Sequence, residues 1–332
     1  MTGLRALDGA PPARPAPRRP AWRRRAVPLV LFGLLALLPL LAVASGAQGY
    51  VLSLLSRVMI FGLAALALDL VLGFGALVSF GHAAFLGIGA YAVAILSGHG
   101  IDEALVQVPV ALLASGAFAA ATGAISLRTK GVYFIMITLA FGQMLFFLAT
   151  SLAAYGGDDG VTLSARSLLA GTAVLENDFA FYAAVLACLA GAYALCRTIV
   201  ASRFGRVLRG TRQNPVRMEA IGFAPFRYQL AAYTISGMIA GLAGFLLANQ
   251  AEFVSPAYMT WQRSGELIFM VVLGGLGTLH GAIVGAAAFL LLEEQLAGFT
   301  EHWKMIFGPV LILVVLFARG GILGILRERD DG

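Results

Sequence analysis

Long apolar runs, separated by short polar or charged connections, make up most of the chain after residue 26. A helix needs about 20 consecutive apolar residues to cross the hydrocarbon core of a bilayer. The runs that approach or exceed this length are 27–46, 50–72, 83–98, 105–127, 131–152, 179–200, 228–249 and 304–319. A further apolar stretch, 264–297, is interrupted by Gly274, Gly275, Gly277 and Gly281. The pattern predicts an all-α polytopic membrane protein that includes Gly-interrupted helices.

The composition excludes a soluble enzyme. Hydrophobic residues make up 60% of the chain and charged residues only 12%, whereas an ordinary soluble domain has about 25% charged residues. Too few polar side chains are present to cover a globule of this size in water, and a lipid bilayer removes that requirement.

Basic residues cluster in three places, which the positive-inside rule assigns to the cytoplasm. Seven arginines lie within residues 1–25, Arg128 and Lys130 follow the run 105–127, and six arginines lie between Arg203 and Arg227. Because these charges lie at the ends of apolar spans, they indicate topology and not nucleic-acid binding.

Acidic connections alternate with the basic ones and are assigned to the outside. They are 99–104, 153–178 and 293–303. For 250–263 and 293–303 both to lie outside, the stretch 264–297 has to enter the membrane and return. The result is ten membrane segments with both termini cytoplasmic.

Three regions follow from this organisation. Residues 1–26 are rich in Arg and Pro and are predicted to be a disordered cytoplasmic arm. Residues 27–320 form the transmembrane domain, and residues 321–332 a cytoplasmic tail. The first apolar run could also be read as a signal peptide, because small residues follow at 44–47; its length favours a retained helix.

Sequence motifs for catalysis or for metal binding are missing. Only two lysines exist, Lys130 and Lys304, and neither stands in a phosphate-binding loop. The chain has no H-E-x-x-H, C-x-x-C or G-x-S-x-G motif. Cys188 and Cys196 lie about two helical turns apart, too far for a disulfide, and are interpreted as packing residues. The neighbouring Asp158 and Asp159 suit a solvated turn better than an enzymatic or metal site.

The connection 201–227 contains a separately capped short helix. Asn214 is a good N-cap, Pro215 suits the first helical position, and Gly222 suits the C-terminal stop. Positive-inside charge explains the arginines before it, among them Arg203, Arg206 and Arg209 at three-residue spacing. It does not explain such a helix with apolar Val216, Met218 and Ile221, which requires a partner surface, either protein or the membrane interface.

Several motifs resemble the membrane subunits of branched-chain amino acid ABC importers. They are the run from Gly73 to Tyr91 with its G-F-G-A-L-V-S-F-G-H core, the segment Thr129–Phe141, the segment Gly205–Gly222, and the run from Val272 to Gly281 with its L-G-G-L-G-T-L-H-G core. The resemblance covers about residues 50–320, and the long loops favour the longer-looped of the two paralogous subunits. Importers of urea and amides share these motifs.

The resemblance implies a type II-like permease fold in a bacterial inner membrane. It also implies four kinds of partner: a second paralogous permease, two cytoplasmic ATPase subunits, an extracytoplasmic substrate-binding protein and the lipid bilayer. No cofactor is expected on this chain, because ATP and magnesium would bind to the ATPases. The short helix would be the coupling helix that contacts an ATPase, with the residues Arg206, Arg209, Asn214, Pro215, Val216, Met218, Glu219, Ala220, Ile221 and Gly222.

Glycines and histidines in the two motif-rich halves are candidates for the translocation path, or equally for close helix packing. They are Gly73, Gly75, Gly81, His82, Gly87, Gly89, Gly274, Gly275, Gly277, His280 and Gly281. Both histidines are expected near a membrane boundary. Other ionisable groups within the spans, namely Arg57, Asp69 and Glu266, are expected to contact a neighbour more often than a substrate.

Two functional alternatives remain open beside an importer of branched-chain or other small neutral amino acids. The same architecture could import urea or short amides. An ion-coupled secondary carrier would need membrane-depth acids, for which only Asp69 and Glu266 are available. An intramembrane enzyme is disfavoured by the missing motifs.

Overall fold

The structure is a computed structural model that describes residues 28–39, 48–299, 302, 305–309, 312 and 321–322. The α-helices are α1 Pro28–Pro39, α2 Gln48–Gly75, α3 His82–Gly98, α4 Ala104–Ser126, α5 Val132–Ser151, α6 Asp178–Ala201, α7 Arg203–Gln213, α8 Pro215–Ala220, α9 Pro225–Ala251, α10 Trp261–Gly274 and α11 Leu279–Phe299. Short 3-10 helices span Ala153–Tyr155, Val174–Glu176 and Pro256–Met259, and two-residue strands β1 Val161–Thr162 and β2 Phe253–Val254 pair antiparallel.

Six of the described helices are long and apolar enough to cross a membrane: α2, α4, α5, α6, α9 and α11. Helices α1 and α3 are apolar but shorter. The chain is therefore a polytopic all-α protein, while the count of ten segments stays a prediction. The predicted arm 1–26, most of the run 304–319 and most of the tail 321–332 lie outside the described residues.

Helix α2 lies at the centre of the molecule, and its apolar 18-residue window is 100% buried. Helices α6, α9, α10 and α11 pack around it, and α3 and α4 pack on the far side of α9. At the periphery, α5 exposes large apolar side chains such as Tyr133, Met136 and Phe147. Apolar exposure of this kind suits contact with lipid.

The connections between helices gather at two opposite ends. At one end, which we call the acidic end, the segments 99–103, 153–177 and 252–255 meet. There β1 pairs with β2, and Arg166 joins Asp178 at 2.9 Å and Glu252 at 3.3 Å. At the other end, the arginine-rich end, the connection 202–224 meets the turns that follow α2 and α10.

Two helices begin inside the molecule and not at either end. The first turn of α3 adjoins that of α10, because the backbone N–H of Ala83 donates to Ser264 Oγ at 3.0 Å. His82 contacts Ser236, and the hydroxyl of Ser236 donates to the carbonyl of Ala67 in α2. Ala67 lies eight residues, or about 12 Å, before the end of α2 at Gly75. From this interior point α3 runs to the acidic end and α10 to the arginine-rich end.

His82 lies at this interior point. It is completely buried, with Ser236 Oγ 3.0 Å from Nε2 and the rings of Phe85 and Tyr233 close to its own ring. The expectation that His82 lies near a membrane boundary stays a prediction.

Candidate functional site

Helix α8 has the predicted caps. Asn214 Oδ1 accepts from the backbone N–H of Arg217 at 2.9 Å, and Pro215 occupies the first helical position. Gly222 has a φ of +87°, and the N–H of Phe223 closes the last turn onto the carbonyl of Met218 at 3.0 Å. These contacts hold α8 as a separate two-turn element at the arginine-rich end.

The apolar residues of α8 do not all point the same way. Val216 is 68% exposed and Ile221 is 62% exposed, and Phe223 beyond the helix is exposed as well. Met218, which was expected on the same exposed surface, is half-buried and lies against Gly210 of α7 instead. The exposed surface of α8 therefore consists of Val216 and Ile221, flanked by Glu219 and Ala220.

Helix α7 connects α8 to the membrane helices. Its arginines Arg203, Arg206 and Arg209 are exposed, while Val207 and Leu208 are buried. Near its C-terminus, Arg212 Nη1 donates to the carbonyl oxygen of Gly73 in the last turn of α2. The sequence did not single out Arg212, because it stands among arginines that the positive-inside rule already explains.

Asp69 joins the two glycine-rich turns. Its Oδ1 accepts from the backbone N–H of Gly277 at 2.7 Å, across 208 residues of sequence. Gly277 has a φ of +73° and lies directly against Gly73. The candidate residues Gly73 and Gly277 therefore meet at the arginine-rich end, beside the carboxyl group of Asp69 and the guanidinium of Arg212. Gly275 lies two residues before Gly277 at the end of α10.

Most of the other candidate glycines lie at close helix contacts. A Cβ on Gly89 would overlap the carbonyl oxygen of Gly241 in α9, and one on Gly274 would overlap that of Gly281 in α11. A Cβ on Gly81 would likewise overlap the carbonyl oxygen of Thr138. Gly87 lies against Met259, Gly75 has ordinary room for a side chain, and His280 lies half-buried in the first turn of α11. Helix packing accounts for the close contacts.

A cavity of about 380 Å³ opens at the acidic end between α2, α9, α11 and the α9–α10 connection. Its charged lining residues are Arg57, Arg263 and Glu294. Arg263 pairs with Glu266 at 2.7 Å and lies 5.9 Å from the ring of Phe61, and Glu294 accepts from Tyr50 Oη at 2.6 Å. The sequence singled out Arg57 and Glu266 separately and missed the cavity, because its walls come from distant parts of the chain.

Tyr258 forms part of the cavity wall in the connection between α9 and α10. Its hydroxyl donates to the carbonyl of Phe253 at 3.2 Å. Burial raises the pKa of its phenol above the ordinary value, while the positive charges of Arg263 and Arg57 act in the opposite direction. The phenol is therefore a neutral hydrogen-bond donor at physiological pH.

No group of His, Cys, Asp and Glu side chains among the described residues could hold a metal ion. Cys188 and Cys196 are free, with Cys196 buried. Asp158 and Asp159 are exposed in the turn that the sequence predicts.

Comparison with known proteins gives a family and several relatives. The family model described as "Branched-chain amino acid transport system / permease component" matches residues 50–316. The high-affinity branched-chain amino acid transport system permease protein LivM of Salmonella typhimurium is 27% identical over 298 residues, which cover 82% of this chain and 69% of that protein. LivM of Escherichia coli is 28% identical over the same shares.

Two further relatives match over a shorter part of the chain. The autoinducer 2 import system permease protein LsrC of an Enterobacter species is 28% identical over 71% of this chain and 68% of its own. LivH of Escherichia coli is 28% identical over 125 residues, 37% of this chain and 40% of its own. The longer match with LivM confirms the predicted likeness to one of the two paralogous subunits. No solved structure matches the chain. Because the family model spans most of the sequence, this chain belongs to the family of permease components of branched-chain amino acid transport systems.

Proposed function

We propose that this chain is the permease subunit of an ATP-binding cassette importer that carries branched-chain or other small neutral amino acids across the bacterial inner membrane. In this proposal it pairs with a second, paralogous permease, two cytoplasmic ATPases and an extracytoplasmic substrate-binding protein. The names of the LivM relatives support the substrate class. ATP and magnesium would bind to the ATPases, since neither lysine of this chain stands in a phosphate-binding loop.

The observation that carries the proposal is helix α8. It is capped at both ends, it exposes Val216 and Ile221 outside the membrane helices, and α7 ties it to α2 through Arg212 and Gly73. A rigid element that is apolar, exposed and linked to the membrane helices suits the transmission of motion from an ATPase. We assign to it the predicted coupling residues, except that Met218 acts by packing on α7.

The proposed topology places the arginine-rich end in the cytoplasm and the acidic end outside. The same proposal includes ten membrane segments, a type II-like fold with Gly-interrupted helices, and cytoplasmic termini. The turn at Gly275 to Thr278 between α10 and α11 fits it, because it lies at the arginine-rich end beside α7.

An ion-coupled carrier is less well supported. The two acids that it would need are both engaged, Asp69 with the N–H of Gly277 and Glu266 with Arg263. Import of urea or short amides by the same architecture differs only in the transported molecule, and a transport assay separates it from amino-acid import.

The test of the proposal replaces Ile221 by Asp in the assembled complex in proteoliposomes. We expect the complex to assemble, because Ile221 is exposed and no span is altered, but to lose leucine uptake and substrate-stimulated ATP hydrolysis. Burial of an unpaired charge in a protein contact costs roughly several kcal/mol, which would weaken the binding of α8 to an ATPase. The chain on its own should hydrolyse no ATP.

Ile221→Leu is the matched control, since it keeps an apolar side chain of the same size and should transport normally. If the Ile221→Asp complex assembles and takes up leucine at the wild-type rate, α8 is not the coupling helix. If the wild-type complex with its binding protein takes up acetamide or urea but no amino acid, the substrate assignment is wrong.

A further inference from the structure

We infer that the cavity at the acidic end binds the charged backbone of a free amino acid, with Arg57 and Arg263 facing the carboxylate and Glu294 facing the ammonium group. The inference rests on the proposed function and adds to it a binding site on the permease itself, apart from the substrate-binding protein.

The size and lining of the cavity suit a small amphiphilic molecule. Its volume of about 380 Å³ lies within the range of about 300–1,000 Å³ that small-molecule sites occupy. Leu54, Phe61 and Leu247 supply an apolar wall, which can receive an aliphatic side chain. Arg57 lies on α2 between Leu54 and Phe61, so a charged group stands beside this apolar wall, as in sites where a few polar groups orient a mostly apolar ligand.

Arg57 is the group that most requires a ligand. It lies within α2, where a charge is costly unless it faces a cavity or a partner. The guanidinium makes no hydrogen bond or ion pair with any other described residue, although Glu293 and Tyr258 lie within electrostatic reach. A guanidinium that lines a cavity and makes no hydrogen bond within the described part of the chain is well suited to bind a carboxylate through two parallel hydrogen bonds.

Arg263 provides a second positive charge at a set position. Its Nη1 is held by Glu266 at 2.7 Å, and its guanidinium lies 5.9 Å from the ring centre of Phe61. A guanidinium has five N–H donors, so the pair with Glu266 leaves others for a ligand. Arg263 therefore contributes a pre-oriented donor, while Arg57 contributes one that no described residue accepts from.

Glu294 supplies a carboxylate for the ammonium group in the wall of the cavity. Glu294 accepts a hydrogen bond from Tyr50 at 2.6 Å, which fixes its position. Neighbouring Glu293 has an Oε2 atom that is buried and has no hydrogen-bond partner among the described residues. Two acids near two arginines suit a molecule that carries one charge of each sign.

The cavity ends in a constriction. Phe61, Leu247, Tyr258 and Arg263 also line a second, much smaller space of about 10 Å³ that continues toward Ala83 and Leu267. This space holds about one water molecule at most. An amino acid that enters from the acidic end is therefore stopped beside Arg57 and Arg263, before the joined first turns of α3 and α10.

The test measures binding of radiolabelled leucine to the complex of both permeases and both ATPases in nanodiscs, without the binding protein. Leucinamide, which lacks the carboxylate, isocaproate, which lacks the ammonium group, and acetamide serve as competitors. Unlabelled leucine is the reference competitor. We expect it to compete best and acetamide not at all. Arg57→Gln and Arg263→Gln should each weaken leucine and isocaproate by about tenfold to hundredfold and leave leucinamide unchanged.

Two variants control for effects on folding. Arg128→Gln alters an exposed arginine at the opposite end and should leave all four affinities unchanged. Arg57→Lys keeps the charge but not the planar pair of donors, so it should weaken leucine less than Arg57→Gln does. The ratio of isocaproate to leucinamide affinity is compared throughout, since partial unfolding would lower both together.

The inference is overturned if the arginine variants bind leucine as the wild type does, or if acetamide competes as well as leucine. It is also overturned if the wild-type complex transports leucine but binds none without the binding protein. Failure of the proposed function is a different result, in which the wild-type complex with its binding protein takes up no amino acid in proteoliposomes.

Discussion

Replacement of Asp69 by Ala is expected to loosen the arginine-rich end. Asp69 is fully buried in α2, and its Oδ1 accepts from the backbone N–H of Gly277 at 2.7 Å. This bond holds the turn between α10 and α11 against α2, next to the site where Arg212 of α7 donates to Gly73. The alanine side chain would leave a buried N–H without a partner and would remove the carboxyl group that lies near Arg212.

The loss follows from ordinary hydrogen-bond energetics. An orphaned buried donor costs about 1–3 kcal/mol. We therefore expect Asp69→Ala to lower the free energy of unfolding by about 1–3 kcal/mol. Asp69→Asn keeps an oxygen that can accept from the N–H of Gly277, so its loss should be smaller.

The measurement is thermal or denaturant unfolding of the purified complex in detergent, followed by leucine uptake in proteoliposomes. Asp69→Ala should unfold first, Asp69→Asn next and the wild type last, and uptake should fall in the same order. Equal stability of all three proteins would refute the reasoning, and so would an asparagine variant that is less stable than the alanine variant.

Two further predictions concern topology and packing. The first uses single cysteines at position 162 or 213 in a cysteine-free background and a membrane-impermeant thiol reagent in intact cells. The cysteine that replaces Thr162 should react and the one that replaces Gln213 should not, because the two exposed positions lie at the acidic and arginine-rich ends. The reverse labelling would overturn the orientation. The second concerns packing: Gly274→Val should reduce the yield of folded protein, because its Cβ would overlap the carbonyl oxygen of Gly281. Gly191→Val in α6 is the control, since the space beside Gly191 is open and the yield should not change. Equal yields of the two variants would show that the α10–α11 contact is not tight.

Local features were predictable from the sequence where one residue type satisfies one backbone requirement. Asn214, Pro215 and Gly222 bound α8 as expected, because capping and a positive φ depend on neighbours within a few residues. The apolar runs likewise mark α2, α4, α5, α6 and α9 to within a few residues, since each run has to satisfy its own backbone hydrogen bonds.

Features that depend on tertiary contact were not predictable. Val216, Met218 and Ile221 are all apolar, and only the packing of α8 on α7 shows that Met218 turns inward against Gly210. The same holds for the complete burial of His82, which depends on how α3 packs on α9 and α2. The sequence could mark Asp69 as an unusual residue but not name its partner, which lies 208 positions away.

The sequence leaves two interpretations of the candidate glycines equal, translocation path and close helix packing, and the atoms that surround each glycine bear on the choice. A glycine that lines a path leaves open space beside its Cα, whereas one that brings helices together has a backbone atom there. Gly89 against Gly241 and Gly274 against Gly281 are of the second kind. The open space lies instead beside Arg57 and Arg263, which line the cavity at the acidic end. Gly89, Gly274 and Gly281 therefore shape helix contacts, while charged side chains form part of the lining of the space between α2, α9 and α11.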